Sequence, residues 1–170
     1  MLKITERRAI LLCNTVVILL LQLMRNDCLM EKNSAARFDK LTLLSASERR
    51  YPQSPDEAHL EVFDNVYADR DYEIEFDCPE FTSLCPVTNQ PDFGHIVLRY
   101  IPDKLCIESK SLKLFLFSFR NDNTFHEEAV NRILDAVVAA CSPRHAVVEG
   151  HFRPRGGIAI NVKASYDMKG

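Results

Sequence analysis

Val130, Ile133, Leu134, Val137 and Val138 recur at i, i+3, i+4, i+7 and i+8. No strand can bring those five to one face, because strand side chains alternate faces at every residue. The stretch is therefore predicted to be an amphipathic helix, with Pro143 marking its end. A helix with one apolar stripe has to bury it against another layer. The sequence supplies that layer in segments of period two. Tyr72, Ile74 and Phe76 alternate with Glu73, Glu75 and Asp77 in a strand expected to end at Pro79. Ile96, Leu98 and Tyr100 alternate with Val97 and Arg99 in a second, which stops at Pro102-Asp103. Pro79, Pro86 and Pro91 mark the stretch between them, to about Gly94, as a loop. Ser109 to Arg120 reads as another helix from Leu112, Phe115, Leu116 and Phe119. His145 to Phe152 and Gly157 to Val162 read as two further strands joined by the turn Arg153-Pro154-Arg155-Gly156. The order strand, strand, helix, helix, strand, strand predicts an α+β domain, with helices layered on one face of an antiparallel sheet.

The 170 residues suffice for one such domain. The expected divisions are an apolar extension over residues 1–30, a polar arm over 31–59 and the folded domain over 60–170. In the extension, Lys3, Arg7 and Arg8 precede an apolar run from Ala9 to Met24, broken by Asn14 and Gln22. The run resembles a targeting segment, yet it is shorter than the ~20 residues of a spanning helix and no clear cleavage site follows it. The preferred explanation is a start assigned too far upstream, with Met24 and Met30 as internal alternatives. On that reading the protein is expected in the cytoplasm, with no membrane partner.

Formal net charge is −3, which argues against a broad nucleic-acid surface, since phosphate binding needs a local excess of Lys and Arg. A small phosphorylated cofactor needs only a few cations. The six cysteines include no C-x-x-C pair, and no histidine stands at ligand spacing from Cys78 and Cys85. No metal site is expected.

Cys85 lies between Leu84 and Pro86 in the proline-rich segment. A thiolate there would be a strong nucleophile, and a small buried hydrophobe fits the same residue. Asp92 follows Pro91, where a carboxyl could donate a proton or serve as an ordinary turn residue. Thr124-Phe125-His126-Glu127 fits a capping box, with Thr124 as N-cap and Glu127 reaching back. The same glutamate could instead accept N–H bonds from a ligand. Lys110, Lys113 and Arg155 are candidate phosphate contacts, and Arg155-Gly156-Gly157 leaves room for an anion to approach the backbone. Neither G-x-G-x-x-G nor a P-loop occurs, so a dinucleotide would bind outside those frames.

Taken in order, these segments resemble the QueF family, the NADPH-dependent 7-cyano-7-deazaguanine reductases of the queuosine pathway. Cys78-Pro79-Glu80-Phe81-Thr82-Ser83-Leu84-Cys85-Pro86 is similar to the family's nucleophile loop, and Thr88-Asn89-Gln90-Pro91-Asp92-Phe93 to its proton-donor segment. Glu108 to Phe115 matches the family signature, while Phe125-His126-Glu127 and Pro154-Arg155-Gly156-Gly157 match its other two markers. Asn89 replaces a usual glycine, and Asn tolerates the left-handed backbone that glycine would adopt. The resemblance runs from about Leu60 to Val162 and is to the short, single-module form.

The resemblance implies the tunnelling fold, in which subunits join their sheets into a barrel, with ligand sites at the interfaces of a homo-oligomer. It implies Cys85 as the nucleophile that forms a thioimide and Asp92 as the proton donor. It assigns Ile107, Glu108, Ser109, His126 and Glu127 to the substrate, and Ser109, Lys110, Arg155 and Gly156 to NADPH. The alternatives from other classes are a purine- or pterin-binding module of the same fold and a heterocycle hydrolase, both without redox activity.

Overall fold

A computed structural model describes Thr42 and residues 51–169. They belong to a unit running from Lys40 to Gly170. The apolar extension lies outside the described residues, as does most of the polar arm. The described end of that arm forms a 3-10 turn at Pro55–Glu57, and Ala58 and Leu60 pack against the core. No helix among the described residues is long and apolar enough to cross a membrane.

The order of elements is β1 (Val62–Asp64), β2 (Ile74–Leu84), β3 (Pro91–Ile101), β4 (Leu105–Ile107), α1 (Ser109–Ser118), α2 (His126–Cys141), β5 (His145–Phe152) and β6 (Asn161–Asp167). The main sheet is antiparallel, in the order β2-β3-β5-β6. Both helices cover one of its faces. Ile96, Leu98, Tyr100, Ala146, Val148 and Phe152 point from the sheet to meet Leu112, Phe115, Val130, Ile133 and Val137. Gly150 lets α2 approach β5 closely, since a Cβ there would stand 2.6 Å from Val130 Cγ2. The other face carries charge, including Arg99 paired with Glu75 and Glu149.

Three boundaries differ from the sequence expectation, each for a local reason. The first strand does not stop at Pro79 but continues to Leu84. A register shift between Cys78 and Phe81 breaks the alternation, so Phe81 and Ser83 turn inward where Ile74, Phe76 and Cys78 did before it. Pro79 is tolerated because β2 is an edge strand. The second strand likewise begins at Pro91, so the intervening loop shrinks to a turn. The last strand starts at Asn161 rather than Gly157, because Ile158 and Ile160 belong to an exposed connection. β1 and β4 form a small separate sheet that the sequence pattern did not reveal.

α1 begins as expected, but its last turn tightens to 3-10 at Phe119–Asn121. The expected Thr124 capping box does not form. Phe125 is the N-cap of α2, without a side-chain cap, and the Thr124 hydroxyl donates to the Phe125 carbonyl. Thr124 is fully buried beside Leu84, whose carbonyl accepts its amide at 3.0 Å.

Candidate functional site

Three connections converge at one end of the sheet. The first is the turn between β2 and β3, closed by Cys85 N–H donating to the Gln90 carbonyl at 2.9 Å and Asn89 N–H donating to the Cys85 carbonyl at 2.8 Å. Asn89 takes φ of 56°, the left-handed conformation asparagine tolerates. The second is the segment from Asp122 to Thr124, which pairs with Leu84 and sets His126 at the start of α2 nearby. The third joins β5 to β6. There Arg155 and Ile158 exchange backbone hydrogen bonds at 3.0 Å around Gly156 and Gly157, with φ of 57° and 82°. Positive φ at both central residues is the requirement of a type I′ turn, hence the two glycines.

Asp92 is the hub. It shares the inward parity of Gly94, Ile96 and Leu98, so its carboxylate enters the helix-covered side and is only 7% exposed. The Arg155 Nε–H lies 2.7 Å from Asp92 Oδ1. His126 Nε2 stands 3.2 Å from the same oxygen but off the direction of a hydrogen bond, and its ring stacks on Phe152 at 4.0 Å. Ser83 sits directly across the strand pair from Asp92 and is fully buried. Among the described residues, only Ser83 Oγ and His126 Nε2 are buried side-chain polar atoms without a hydrogen-bond partner. Both lie beside Asp92. Orphaned polar atoms are rare in folded proteins, so their convergence sets this end of the sheet apart.

The four described cysteines separate by environment. Cys85 is partly exposed at the turn, and its thiol is held down to about 7. The Thr88 hydroxyl bonded to the sulfur contributes most, then the Thr88 and Val87 amides, with Arg155 adding to them. Burial raises Cys141 to about 12 and also raises Cys78. At neutral pH Cys85 is the cysteine poised as thiolate. Neither Thr88 nor Ser83 stands out as a site residue in the sequence. Thr88 acts through a turn only six residues long, and Ser83 through a register that the β2 bulge displaces.

Glu127 is exposed in the first turn of α2 and caps nothing with its side chain. Arg155 and Gly156 belong to the same end of the sheet as Cys85, Asp92 and His126. Ile107, Glu108, Ser109 and Lys110 do not. They follow the far end of β3, where the Ile107 N–H donates to the Tyr100 hydroxyl at 3.0 Å. The ten steps from Pro91 to Ile101 span about 34 Å. Glu108 there is a buried N-cap, its carboxylate accepting the Lys110 and Ser111 amides at 2.7 Å each. One chain thus carries two groups of candidate site residues at opposite ends of its sheet.

A family model described as QueF-like protein matches residues 91–170. The NADPH-dependent 7-cyano-7-deazaguanine reductase of Streptococcus thermophilus is 54% identical over 126 residues, covering 74% of this chain and 77% of that protein. The reductase of the same description from a serogroup C strain of Neisseria meningitidis is 52% identical over 130 residues, covering 76% and 83%. Among solved structures, the archaeosine synthase QueF-Like in its apo form matches with a TM-score of 0.51 at 22% identity, covering 59% of this chain and 96% of that one. That last likeness carries the fold alone: an α+β tunnelling-fold subunit, with two helices on one face of an antiparallel sheet. With more than half of its residues shared along the matched length of the reductases, and the ordered motifs of the family in place, this chain belongs to the QueF family.

Proposed function

We propose that this chain reduces the nitrile of 7-cyano-7-deazaguanine to the primary amine in queuosine biosynthesis, with NADPH as reductant and Cys85 as covalent nucleophile. The observation that supports this most is the Asp92 cluster: a thiol poised near neutrality at the same sheet end as a buried carboxylate flanked by two unpartnered polar atoms. A nitrile carbon is an electrophile that a thiolate attacks. The new bond is sulfur to carbon, and the bond broken is sulfur to hydrogen. The proton passes by way of Asp92 to the nitrile nitrogen, so the thioimide forms with no net gain or loss of atoms. Once the thioimide carbon is reduced to a tetrahedral adduct, its carbon–sulfur bond breaks, which returns the Cys85 thiolate and leaves an imine to be reduced to the amine. His126 and Glu127, at the start of α2, are placed to read the base, Glu127 by accepting its N–H groups.

NADPH, when bound, supplies two hydrides to carbon, as a four-electron reduction requires. The residues available for it fit in kind. Lys110 and Arg155 are cations, and no atom lies within 4 Å of where a Cβ would stand on Gly156 or Gly157, so a ligand can approach that backbone. The α1 N-terminus offers phosphate less than its position suggests, because Glu108 already takes two of its amides. Lys110 and Ser109 stand at the other end of the sheet from Arg155, so one chain cannot close both grips on one cofactor. The proposal therefore includes a homo-oligomer in which Ile107 to Lys110 of one copy complete the Cys85 end of another. We place the reaction in the cytoplasm, without direct nucleic-acid contact.

The test is optical. Absorbance of NADPH should fall only when the cyano base is present, with two NADPH consumed per nitrile. A binding module would consume none, and a hydrolase would alter the base without cofactor; either result would overturn the proposal.

A further inference from the structure

We infer that Arg155 is a positioning residue for the nucleophile: it clamps the Cys85 turn and Asp92 together from the β5–β6 connection. The inference rests on the reading of Cys85 as nucleophile and gives Arg155 a role beyond holding cofactor. Its guanidinium grips several points at once. Nε–H pairs with Asp92 Oδ1 at 2.7 Å, and one terminal nitrogen donates to the carbonyls of Gln90 and Pro91 at 3.2 Å each. Gln90 also accepts the Cys85 amide, so this grip and the closure of the turn share one carbonyl. The guanidinium also helps to hold the Cys85 thiol down. A planar fork with five donors can hold carbonyls and a carboxylate together, which a lysine ammonium on its flexible stem cannot reproduce.

The clamp is itself braced. The tight Arg155–Ile158 turn fixes the base of the side chain, and the Arg153 amide donates to the Phe93 carbonyl at 2.9 Å, tying the connection to β3 one residue past Asp92. The charged and titratable neighbours at this end include Asp92 on β3, His126, Glu127 and Glu128 in the first turn of α2, Arg153 over the Phe93 ring, and Asp122, which is paired with Arg132 at 2.6 Å. Arg155 is the cation that pairs with Asp92 and bonds the carbonyls of the Cys85 turn. Loss of it should loosen the turn, dissolve the Thr88 and Val87 contacts to sulfur, and leave the buried Asp92 carboxylate without its ion partner.

The experiment follows the pH dependence of Cys85 alkylation by iodoacetamide, read by mass spectrometry of the Cys85 peptide so that other cysteines do not intrude. It uses the full chain without substrate, as wild type, Arg155→Met and Arg155→Lys, each checked for an intact fold by circular dichroism. The wild-type midpoint should lie near pH 7. Arg155→Met should move it toward the ordinary thiol value of about 8.5, and Arg155→Lys should fall between. At pH 7 the thiolate fraction then drops about fifteenfold while each thiolate becomes about fivefold more nucleophilic, so alkylation slows about threefold at pH 7, matches wild type near about pH 8 and exceeds it about fourfold above about pH 9. An unchanged midpoint in the methionine variant would overturn the inference and leave Arg155 as a cofactor contact at most. If the methionine variant does not fold, the lysine variant decides by the same midpoint. Because the assay contains no nitrile, its outcome is independent of whether the reductase reading stands.

Discussion

Glu108 caps α1, and on the proposed reading the same carboxylate serves the substrate. Its oxygens accept the amides of Lys110 and Ser111 at 2.7 Å, and the residue is 4% exposed. Glu108→Ala removes both bonds. Loss of a helix N-cap typically costs about 1 kcal/mol. Here the Ser111 amide is buried, where water replaces the lost partner poorly, which raises the expected cost to about 2 kcal/mol. For a domain of this size that corresponds to a fall in Tm of roughly 6–8 °C. Glu108→Asp keeps a preferred N-cap residue and should melt within about 2 °C of wild type. A carboxylate oxygen has two lone pairs; Oε1 accepts from the Lys110 amide and the Ser109 hydroxyl, so capping leaves Oε2 able to accept from a ligand. The aspartate arm is one carbon shorter and withdraws that second acceptor, so KM for the cyano base should rise at least about tenfold, or 1.4 kcal/mol. Differential scanning fluorimetry and steady-state kinetics on the two variants separate the roles. An unchanged Tm for the alanine variant would refute the cap, and an unchanged KM for the aspartate variant would refute the shared role.

Thr88→Val removes the largest influence holding Cys85 down, so adduct formation should slow most below pH 7 and approach wild type above about pH 9, as the thiol midpoint moves up. Glu127→Gln should leave Tm unchanged, since Glu127 caps nothing, while substrate affinity falls by a few kcal/mol because donors of the base lose their acceptor; calorimetric titration with the cyano base checks it, and normal affinity would return Glu127 to the solvated surface. Mixing inactive Cys85→Ala with inactive Lys110→Ala after dissociation and reassembly should restore up to about a quarter of wild-type turnover in mixed dimeric sites, as expected if the two sheet ends meet across an interface; no recovery in confirmed mixed oligomers would place the whole site within one chain.

The layers of this fold were legible because their patterns are local and periodic. The stripe from Val130 to Val138 defined α2 to within a few residues, and the alternation of Ile96, Leu98 and Tyr100 defined the middle of β3. The pattern failed where a non-local device intervened. The bulge at Cys78–Phe81 flips the parity of β2, so period two ends there although the strand does not. Thr124 carries a capping residue type at capping spacing, yet pairing with Leu84 draws it into the core one residue before the helix cap. The candidate reacting residues were visible as motifs, but their arrangement was not. Arg155 meets Asp92 only because β5 returns beside β3, and Ser83 faces it only through the register of β2 on β3. The separation of Glu108 from Cys85 followed from the strand directions, which no motif records.

In the proposed reaction Cys85 adds to the nitrile before any reduction occurs. Intact-protein mass spectrometry after mixing the chain with 7-cyano-7-deazaguanine, without NADPH, tests it directly. The account predicts a mass increase of one whole molecule of the base, with nothing lost, on the peptide containing Cys85, and no such increase in a folded Cys85→Ala variant. Turnover of the base by wild type with NADPH but no adduct in its absence, or an alanine variant that still forms the adduct, would contradict it.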